Sequence, residues 1–219
     1  MTQDLANRLT GIGVTTLSDA LDRLGIDGQC VGVMPFDRGM AFAGPAFTIR
    51  MVPVGQTGGS VGDYIDEVAP GQVVALDNDG RLDATVWGDI LTLVAHRKGI
   101  AGTVIDGVCR DIGPSIELGY PIFARANTMR TGKDRVTLDA CNVTVQIAGV
   151  RVDPGDWLVG DGDGVVAIPA ARVEEVIQTA EQVAAAEARI RAAVLRGERL
   201  DEARKAARYH QLQTRETVG

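Results

Sequence analysis

The sequence predicts a single α/β domain, and three observations support this fold class. In the first 130 residues, short apolar runs such as Val73-Val74-Ala75-Leu76 alternate with helical segments, as in parallel strands joined by helical crossovers. Shorter alternating segments then predict hairpins, before an Ala-, Glu- and Arg-rich helical region. A chain of 219 residues with 45% apolar content is long enough for one full core. We expect one domain over residues 1–219, with mixed sheets and a long C-terminal helix.

The N-terminal part begins with a helix and continues into strands. The segment "VTTLSDALDRLG" predicts a helix that Thr15 or Thr16 caps and Gly25 ends. Residues 31–53 are Gly-rich with short apolar runs, which are typical of strands and turns. The segment "SVGDYIDEVAP" then predicts a short helix that stops at its proline.

The central part alternates strand and helix. The segment "GQVVALD" predicts a buried strand, and Asn78-Asp79-Gly80 a turn after it. A helix is expected from Gly88 to Lys98, with Gly99 at its C-terminal end. It is followed by a strand in "AGTVID", a short helix in "IGPSIELG" and a strand in "PIFARA".

The last third favours hairpins and then helices. The segment "NVTVQIAGVRV" alternates around an Ala148-Gly149 turn, and "DWLVGDGDGVVAIP" predicts a hairpin around its Asp-Gly repeats. Residues 170–208 predict helical runs interrupted at Gly197. The polar tail after about residue 209 is expected to be frayed or disordered.

Composition excludes several classes of protein. A net charge of −7 argues against a nucleic-acid surface, which needs clustered Lys and Arg. No apolar run approaches the roughly 18 residues of a transmembrane helix, and the N-terminus lacks the pattern of a signal peptide. The three cysteines form neither a disulfide framework nor a zinc motif, so we expect a cytoplasmic protein.

The candidate site lies where two neighbouring predicted strands end. Gly88-Asp89-Ile90-Leu91 begins the central helix, and Arg110-Asp111 follows the next strand. In open α/β sheets, ligands bind at the carboxyl ends of strands. Free N–H groups at the helix start suit a small carboxylate, and Arg110 offers a planar cationic fork. Because Asp111 supplies a hard oxygen ligand for Mg²⁺ or Mn²⁺, the pattern describes a site for a 2-oxo acid beside a divalent metal.

These motifs also carry a family resemblance. The segment "WGDILTLVAHRKGIAGTVIDGVCRDI" resembles the core signature of the class II 4-hydroxy-4-methyl-2-oxoglutarate aldolases, a family similar to the RraA regulators of RNase E activity. The likeness covers most of the chain and includes "VTTLSDALDRLG", "AGPAFTI", "YPIFARA" and "VRVDPGDWLVGDGDGVVAIP". It implies a swivelling β/β/α fold of the RraA-like type. It also implies a homotrimer, or a homohexamer of two trimers, with sites at the subunit interfaces.

The resemblance further implies a divalent-metal-dependent lyase that cleaves 4-hydroxy-4-methyl-2-oxoglutarate to two pyruvates and decarboxylates oxaloacetate, both through a pyruvate enolate. The backbone N–H groups of Ile90 and Leu91 then hold the pyruvate carboxylate, while their side chains are expected simply to pack. Asp89 lies near the water that returns a proton to the enolate. Arg110 contacts the carbonyl or enolate oxygen, and Asp111 is the protein ligand of Mg²⁺ or Mn²⁺.

Plainer interpretations of the same residues stay open. Gly88 to Leu91 also fits an ordinary helix start, and Arg110 and Asp111 a surface ion pair in which Asp111 caps the following helix. Asp106 is interpreted as structural, holding the loop with Gly107. Lys133 fits either a neighbour of the substrate or a solvated side chain.

Other candidate residues are weaker. Glu181 and Glu187 lie on the C-terminal helix, where family members often supply an acidic side chain to a neighbouring subunit's metal site, but neither aligns securely. Cys109 has no recognisable base, since His96 lies inside a helix and His210 in the tail. Two rival functions follow: a non-catalytic RraA-type regulator that binds RNase E or an RNA helicase, and a lyase for another 2-oxo acid.

Overall fold

A computed structural model describes residues 2–55, 61–207 and 209 of the chain. The polar tail after residue 209, which the sequence predicts to be frayed, lies outside the described residues, as does His210.

The described residues alternate helices and strands, with six α-helices, ten strands and two short 3₁₀ helices. The α-helices are α1 (Thr2–Ile12), α2 (Val14–Arg23), α3 (Asp89–Lys98), α4 (Ile112–Leu118), α5 (Val173–Leu195) and α6 (Leu200–Ala206). The strands are β1 (Met34–Pro35), β2 (Phe42–Pro53), β3 (Val73–Thr85), β4 (Gly102–Cys109), β5 (Ile122–Asn127), β6 (Val136–Cys141), β7 (Val145–Ile147), β8 (Val150–Val152), β9 (Trp157–Asp161) and β10 (Gly164–Ile168). The 3₁₀ helices are Asp63–Glu67 and Ala170–Arg172.

One mixed sheet organises the described part of the chain. Its strand order is β1-β5-β4-β3-β2-β9-β10, with β6 paired to β2. Strands β2, β3, β4 and β5 run parallel to one another, while β6, β9 and β10 are antiparallel to their neighbours. Strands β7 and β8 form a separate two-stranded sheet. The predicted α/β class, the parallel element and the long C-terminal helix are therefore confirmed.

Alternate residues of the parallel strands enter different cores. Val74 and Leu76 of β3 belong to a cluster that includes Trp87, whereas Val73 and Ala75 belong to a second cluster with the β7–β8 sheet. Successive side chains of a strand point to opposite faces, so the sheet is buried on both sides. A third cluster joins α1, α2 and α5 to β9 and β10.

Two local predictions are corrected by contacts distant in sequence. Neither Thr15 nor Thr16 caps α2, which begins after Gly13. The Asp161 carboxylate instead accepts a hydrogen bond from the Val14 N–H at 2.8 Å and so satisfies a donor at the helix start.

The turn at Asn78-Asp79-Gly80 does not end its strand. Asp79 and Gly80 have φ values of 55° and 62°, as a turn requires, but β3 continues to Thr85 with a register shift against β4. Pairing with β4 holds the backbone on both sides of this irregularity, so β3 is longer than expected. Among the described helices, none combines the length and apolar character needed to cross a membrane.

Candidate active site

The ends of β3 and β4 bring the two sequence motifs together. Strand β3 ends at Thr85, shortly before Gly88 and α3, and Arg110-Asp111 follows directly after β4. A Cβ atom built on Gly88 would lie 3.0 Å from Oδ2 of Asp111 and 3.4 Å from Nε of Arg110. The helix start and the charged pair are therefore direct neighbours, as the spacing predicts.

A small cavity of about 130 Å³ lies at this junction. Gly88, Asp89, Ile90, Leu91 and Arg110 contribute to its wall, together with residues of the β3 end and of the loop at Thr131 and Gly132. Gly132 allows the loop to approach closely, because a Cβ there would lie 2.0 Å from the carbonyl oxygen of Thr85. From this loop the sequence indicated only Lys133; Thr131 and Gly132 were missed, since the contact of Gly132 with Thr85 crosses almost fifty residues.

The helix α3 begins as predicted and presents its first turn to the cavity. Gly88 is the N-cap, in an extended conformation with no side chain, and Gly99 ends the helix in the left-handed conformation. The first N–H groups of a helix have no acceptor within it. One of them, the N–H of Ile90, donates to Oδ1 of Asp89 at 2.9 Å. A carboxylate group is thus already accommodated at this helix start.

The side chains of Ile90 and Leu91 differ in environment. Leu91 is half-buried against the core cluster that contains Trp87, as expected. The Ile90 side chain is 73% exposed, so it does not pack within its own chain as expected. Its position one residue from the helix start points it away from the buried face of α3.

Arg110 and Asp111 form an ion pair over Gly88. Nε of Arg110 lies 3.1 Å from Oδ2 of Asp111, and their side chains are 41% and 40% exposed. Asp111 occupies the N-cap position of α4 but makes no side-chain hydrogen bond to that helix, which contradicts the capping interpretation. Its φ of 55° is a left-handed conformation, which Asp adopts more readily than most residues. The Asp111 carboxylate therefore lies beside Gly88 and does not cap α4.

The geometry fits a hard divalent cation at a single carboxylate. Among the described residues, no three His, Cys, Asp or Glu side chains come together as a metal-binding group. Mg²⁺ commonly keeps several waters and uses one or two protein carboxylates. The Asp111 carboxylate is 40% exposed, so it could hold such an ion beside its contact with Arg110.

Asp106 has a structural environment. It is 5% exposed, accepts a hydrogen bond from Nε of Arg125, and accepts another at 2.8 Å from the N–H of Ala148. Its carboxylate therefore joins β4 and β5 to the turn of the β7–β8 hairpin. The expected structural role fits, although these partners replace the predicted loop contact with Gly107.

The other candidate side chains lie in ordinary settings within the chain. Lys133 is exposed. Glu181 forms an ion pair with Arg8 of α1, with an N–O distance of 3.6 Å, and Glu187 forms one with Arg191 of its own helix α5, at 3.2 Å. These contacts give neither glutamate a place in the cavity of its own chain.

Cys109 has the environment of an inert core residue. It is fully buried, and desolvation, with a smaller contribution from Asp111, raises the pKa of its thiol to about 12. The thiol therefore stays protonated at neutral pH, whereas a nucleophilic cysteine needs the thiolate. This environment agrees with the expectation that Cys109 is not a nucleophile.

Known proteins share this architecture. The family model for RraA-like proteins, described as Aldolase/RraA, matches residues 14–167. A putative 4-hydroxy-4-methyl-2-oxoglutarate aldolase of Halalkalibacterium halodurans is 35% identical over 82% of this chain and 83% of its own length. Protein DlpA of Legionella pneumophila is 36% identical over 95% of this chain, but the chain spans only 34% of that protein.

Solved structures agree. An uncharacterised protein from Pseudomonas syringae pv. tomato superposes with a TM-score of 0.86 at 41% identity, covering 93% of this chain and 98% of that one. RraAS2 of Streptomyces coelicolor, described as an unusual member of the RNase ES inhibitor RraA protein family, gives a TM-score of 0.71 at 31% identity, covering 81% and 90% of the two chains. The family match runs from α2 to the β9–β10 hairpin and includes both motifs of the site. The chain therefore belongs to the RraA-like family.

Proposed function

We propose that this protein is a divalent-metal-dependent carbon–carbon lyase for 2-oxo acids, acting on 4-hydroxy-4-methyl-2-oxoglutarate and, as a side activity, on oxaloacetate. The observation that carries the proposal is the meeting of the α3 start and Arg110 at one small cavity, with the Asp111 carboxylate beside Gly88. Three free cysteines fit a reducing, cytoplasmic setting.

Different residues of the site bind different groups of the substrate. The N–H groups of Ile90 and Leu91, at the positive end of the α3 dipole, bind the carboxylate next to the oxo group. The Asp89 carboxylate now accepts the Ile90 N–H, so it rotates aside when a substrate carboxylate takes that donor. Nε of Arg110 faces Asp111, which leaves the terminal amino groups of the guanidinium for the substrate's oxo oxygen.

Both reactions break the bond between C3 and C4 and leave its electron pair on the fragment that contains the oxo group. In the aldol cleavage the C4 hydroxyl gives its proton to solvent water and becomes the carbonyl of one pyruvate, while in the decarboxylation the C4 carboxylate leaves as carbon dioxide. Arg110 stabilises the negative charge that develops on the enolate oxygen, where fixed electrostatics is most effective. Asp111 would hold a divalent cation, which would supply Lewis-acid stabilisation of the same charge. Asp89, through water, returns a proton to C3, which gives pyruvate.

Assembly is part of the proposal. Ile90 is 73% exposed and Leu93 is 49% exposed on the same side of α3, beside the cavity. Exposed apolar side chains at a site mark a surface that another protein covers. A homotrimer, or a homohexamer of two trimers, would cover them with a second copy of the chain, and light scattering of the purified protein measures this directly.

The deciding experiment is a pyruvate-release assay on both substrates, with Mg²⁺, with Mn²⁺ and with excess chelator. We expect turnover that depends on the cation and is lost in chelator. If the protein turns over only another 2-oxo acid, the proposed site would stand and the proposed substrate would be replaced. No turnover, combined with tight binding to RNase E or an RNA helicase, would replace the lyase with a regulator of the kind that the description of RraAS2 suggests.

A further inference from the structure

A buried side-chain pair ties the start of α3 to the end of β3. The indole Nε1–H of Trp87 donates to Oγ1 of Thr92 at 2.9 Å. That hydroxyl donates in turn to the carbonyl oxygen of Gly88 at 3.0 Å, and the backbone N–H of Thr92 donates to the same oxygen at 3.0 Å. The Gly88 carbonyl thus accepts two hydrogen bonds from one residue.

The chemistry of these two buried side chains fixes the direction of the hydrogen bonds. Trp87 is 2% exposed and Thr92 is fully buried. An indole N–H can only donate, so the Thr92 hydroxyl uses a lone pair for it and has its single proton left for Gly88. Loss of the hydroxyl would leave a buried donor on Trp87 and remove one restraint on Gly88.

Trp87 also contacts the second half of the site. Its carbonyl oxygen accepts a hydrogen bond from the N–H of Arg110 at 3.1 Å. Its ring is nearly parallel to that of Tyr120, with an angle of 4° and centroids 6.3 Å apart. One residue therefore connects the α3 start, through Thr92, with the backbone that carries the guanidinium of Arg110.

We infer that Thr92 is a positioning residue, which together with Trp87 sets the first-turn N–H groups of α3 at a fixed separation from Arg110. The inference rests on the proposed function and adds a residue that touches no substrate. In a 2-oxo acid the carboxylate carbon is bonded directly to the oxo carbon, so the donors that bind the carboxylate and those that bind the oxo oxygen must keep a matching separation. A misplacement of about 1 Å can cost about 100-fold in rate.

The test compares Thr92→Val, which removes the hydroxyl at nearly constant volume, with Thr92→Ser, which keeps it. Thr48→Val is the matched control, because Thr48 is fully buried and its hydroxyl donates to the carbonyl oxygen of Val143, far from α3 along the chain. Thr92→Ala serves as a second variant without the hydroxyl. Thermal melts of each protein establish the temperature at which all are folded.

Binding of oxalate, a planar mimic of the enolate, is measured by calorimetry in the presence of Mg²⁺. We expect the Kd to rise about tenfold in Thr92→Val and Thr92→Ala and to stay within about twofold in Thr92→Ser and Thr48→Val. A general loss of stability would not separate Thr92 from Thr48 in this way. Unchanged affinity in both hydroxyl-free Thr92 variants would overturn the positioning role.

A second readout does not depend on catalysis. Amide NMR resonances of Asp89, Ile90, Leu91 and Arg110 should shift in Thr92→Val and not in Thr48→Val. If the unaltered protein binds no oxalate, the proposed function fails. The amide shifts still decide whether Thr92 sets the geometry: unchanged shifts in Thr92→Val would reject the positioning role, and shifts confined to these residues would support it.

Discussion

Nε of Arg110 lies 3.1 Å from Oδ2 of Asp111, and both side chains are about two-fifths exposed. An ion pair this exposed contributes little to stability. The paired atoms themselves lie over Gly88: a Cβ built there would be 3.4 Å from Nε of Arg110 and 3.0 Å from Oδ2 of Asp111. The following predictions test whether this pair serves binding and catalysis.

Replacing Asp111 should remove activity without unfolding the protein. We expect Asp111→Ala to lower pyruvate release by a factor of at least about 100, because the cation loses its protein ligand. The thermal midpoint should fall only by the cost of placing Ala at a φ of 55°, about 1 kcal/mol, since Asp111 does not cap α4. Asp139→Ala is the matched control: its carboxylate is 39% exposed and pairs with Arg50. Normal turnover of Asp111→Ala, or of the unaltered protein in excess chelator, would refute the metal role.

Arg110→Lys should not act as a conservative change. Lysine keeps the charge but loses the planar fork, so an interaction made in the transition state is weakened. We expect kcat to fall by about one to three orders of magnitude. Arg50→Lys, at an ion pair of similar exposure, should leave kcat unchanged. Equal kcat for Arg110→Lys and the unaltered protein would mean that Arg110 only forms a surface ion pair.

Oxalate should compete with the substrate when Mg²⁺ is present. A site built for an enolate binds its stable mimic more tightly than pyruvate, because it is complementary to the charge of the transition state. Titration calorimetry should show this preference for the unaltered protein and its loss in Arg110→Ala. A regulator without lyase activity has no reason to prefer oxalate, so equal or undetectable binding of both anions would count against the enzyme.

Gly88→Ala should damage the site and spare the fold. Gly88 has an extended backbone that alanine also adopts, but the new methyl group would lie 3.0 Å from Oδ2 of Asp111 and displace the ion pair. We expect turnover to fall while the thermal midpoint stays close to that of the unaltered protein. Gly113→Ala, in α4 with no atom beyond its chain neighbours within 4 Å of the added Cβ, should keep full activity. Full activity in Gly88→Ala would show that the position of the Arg110–Asp111 pair beside Gly88 does not matter for turnover.

Asp106 should matter for stability. Its buried carboxylate holds Arg125 and the N–H of Ala148, so Asp106→Ala leaves both without their acceptor. We expect a loss of about 3 kcal/mol in the free energy of unfolding, measured by urea denaturation. Asp139→Ala should lose far less. If Asp106→Ala keeps its stability but loses turnover, Asp106 belongs to the reaction instead.

Local sequence signals determined the elements that frame the site. Gly99 ends α3 because a left-handed residue satisfies the last carbonyl groups, and Gly88 precedes it as expected. Apolar runs fixed β4 and β5, and the Ala148-Gly149 turn produced its hairpin. These features depend on backbone conformation and periodicity within a few residues, so they can be predicted from one sequence. The placement of Arg110-Asp111 beside Gly88 followed from the parallel order of the strands.

Contacts distant in sequence decided the rest. Asp161 replaced the predicted threonine caps of α2, and pairing with β4 carried β3 beyond its turn. The exposure of Ile90 depends on what the neighbouring elements leave uncovered, which a helical pattern does not contain. In the sequence, Thr92 is an ordinary residue of the predicted helix, and nothing marks its hydroxyl. It acquires its hydrogen-bonding role only because packing buries it against Trp87, where an indole donor without water must find a protein acceptor.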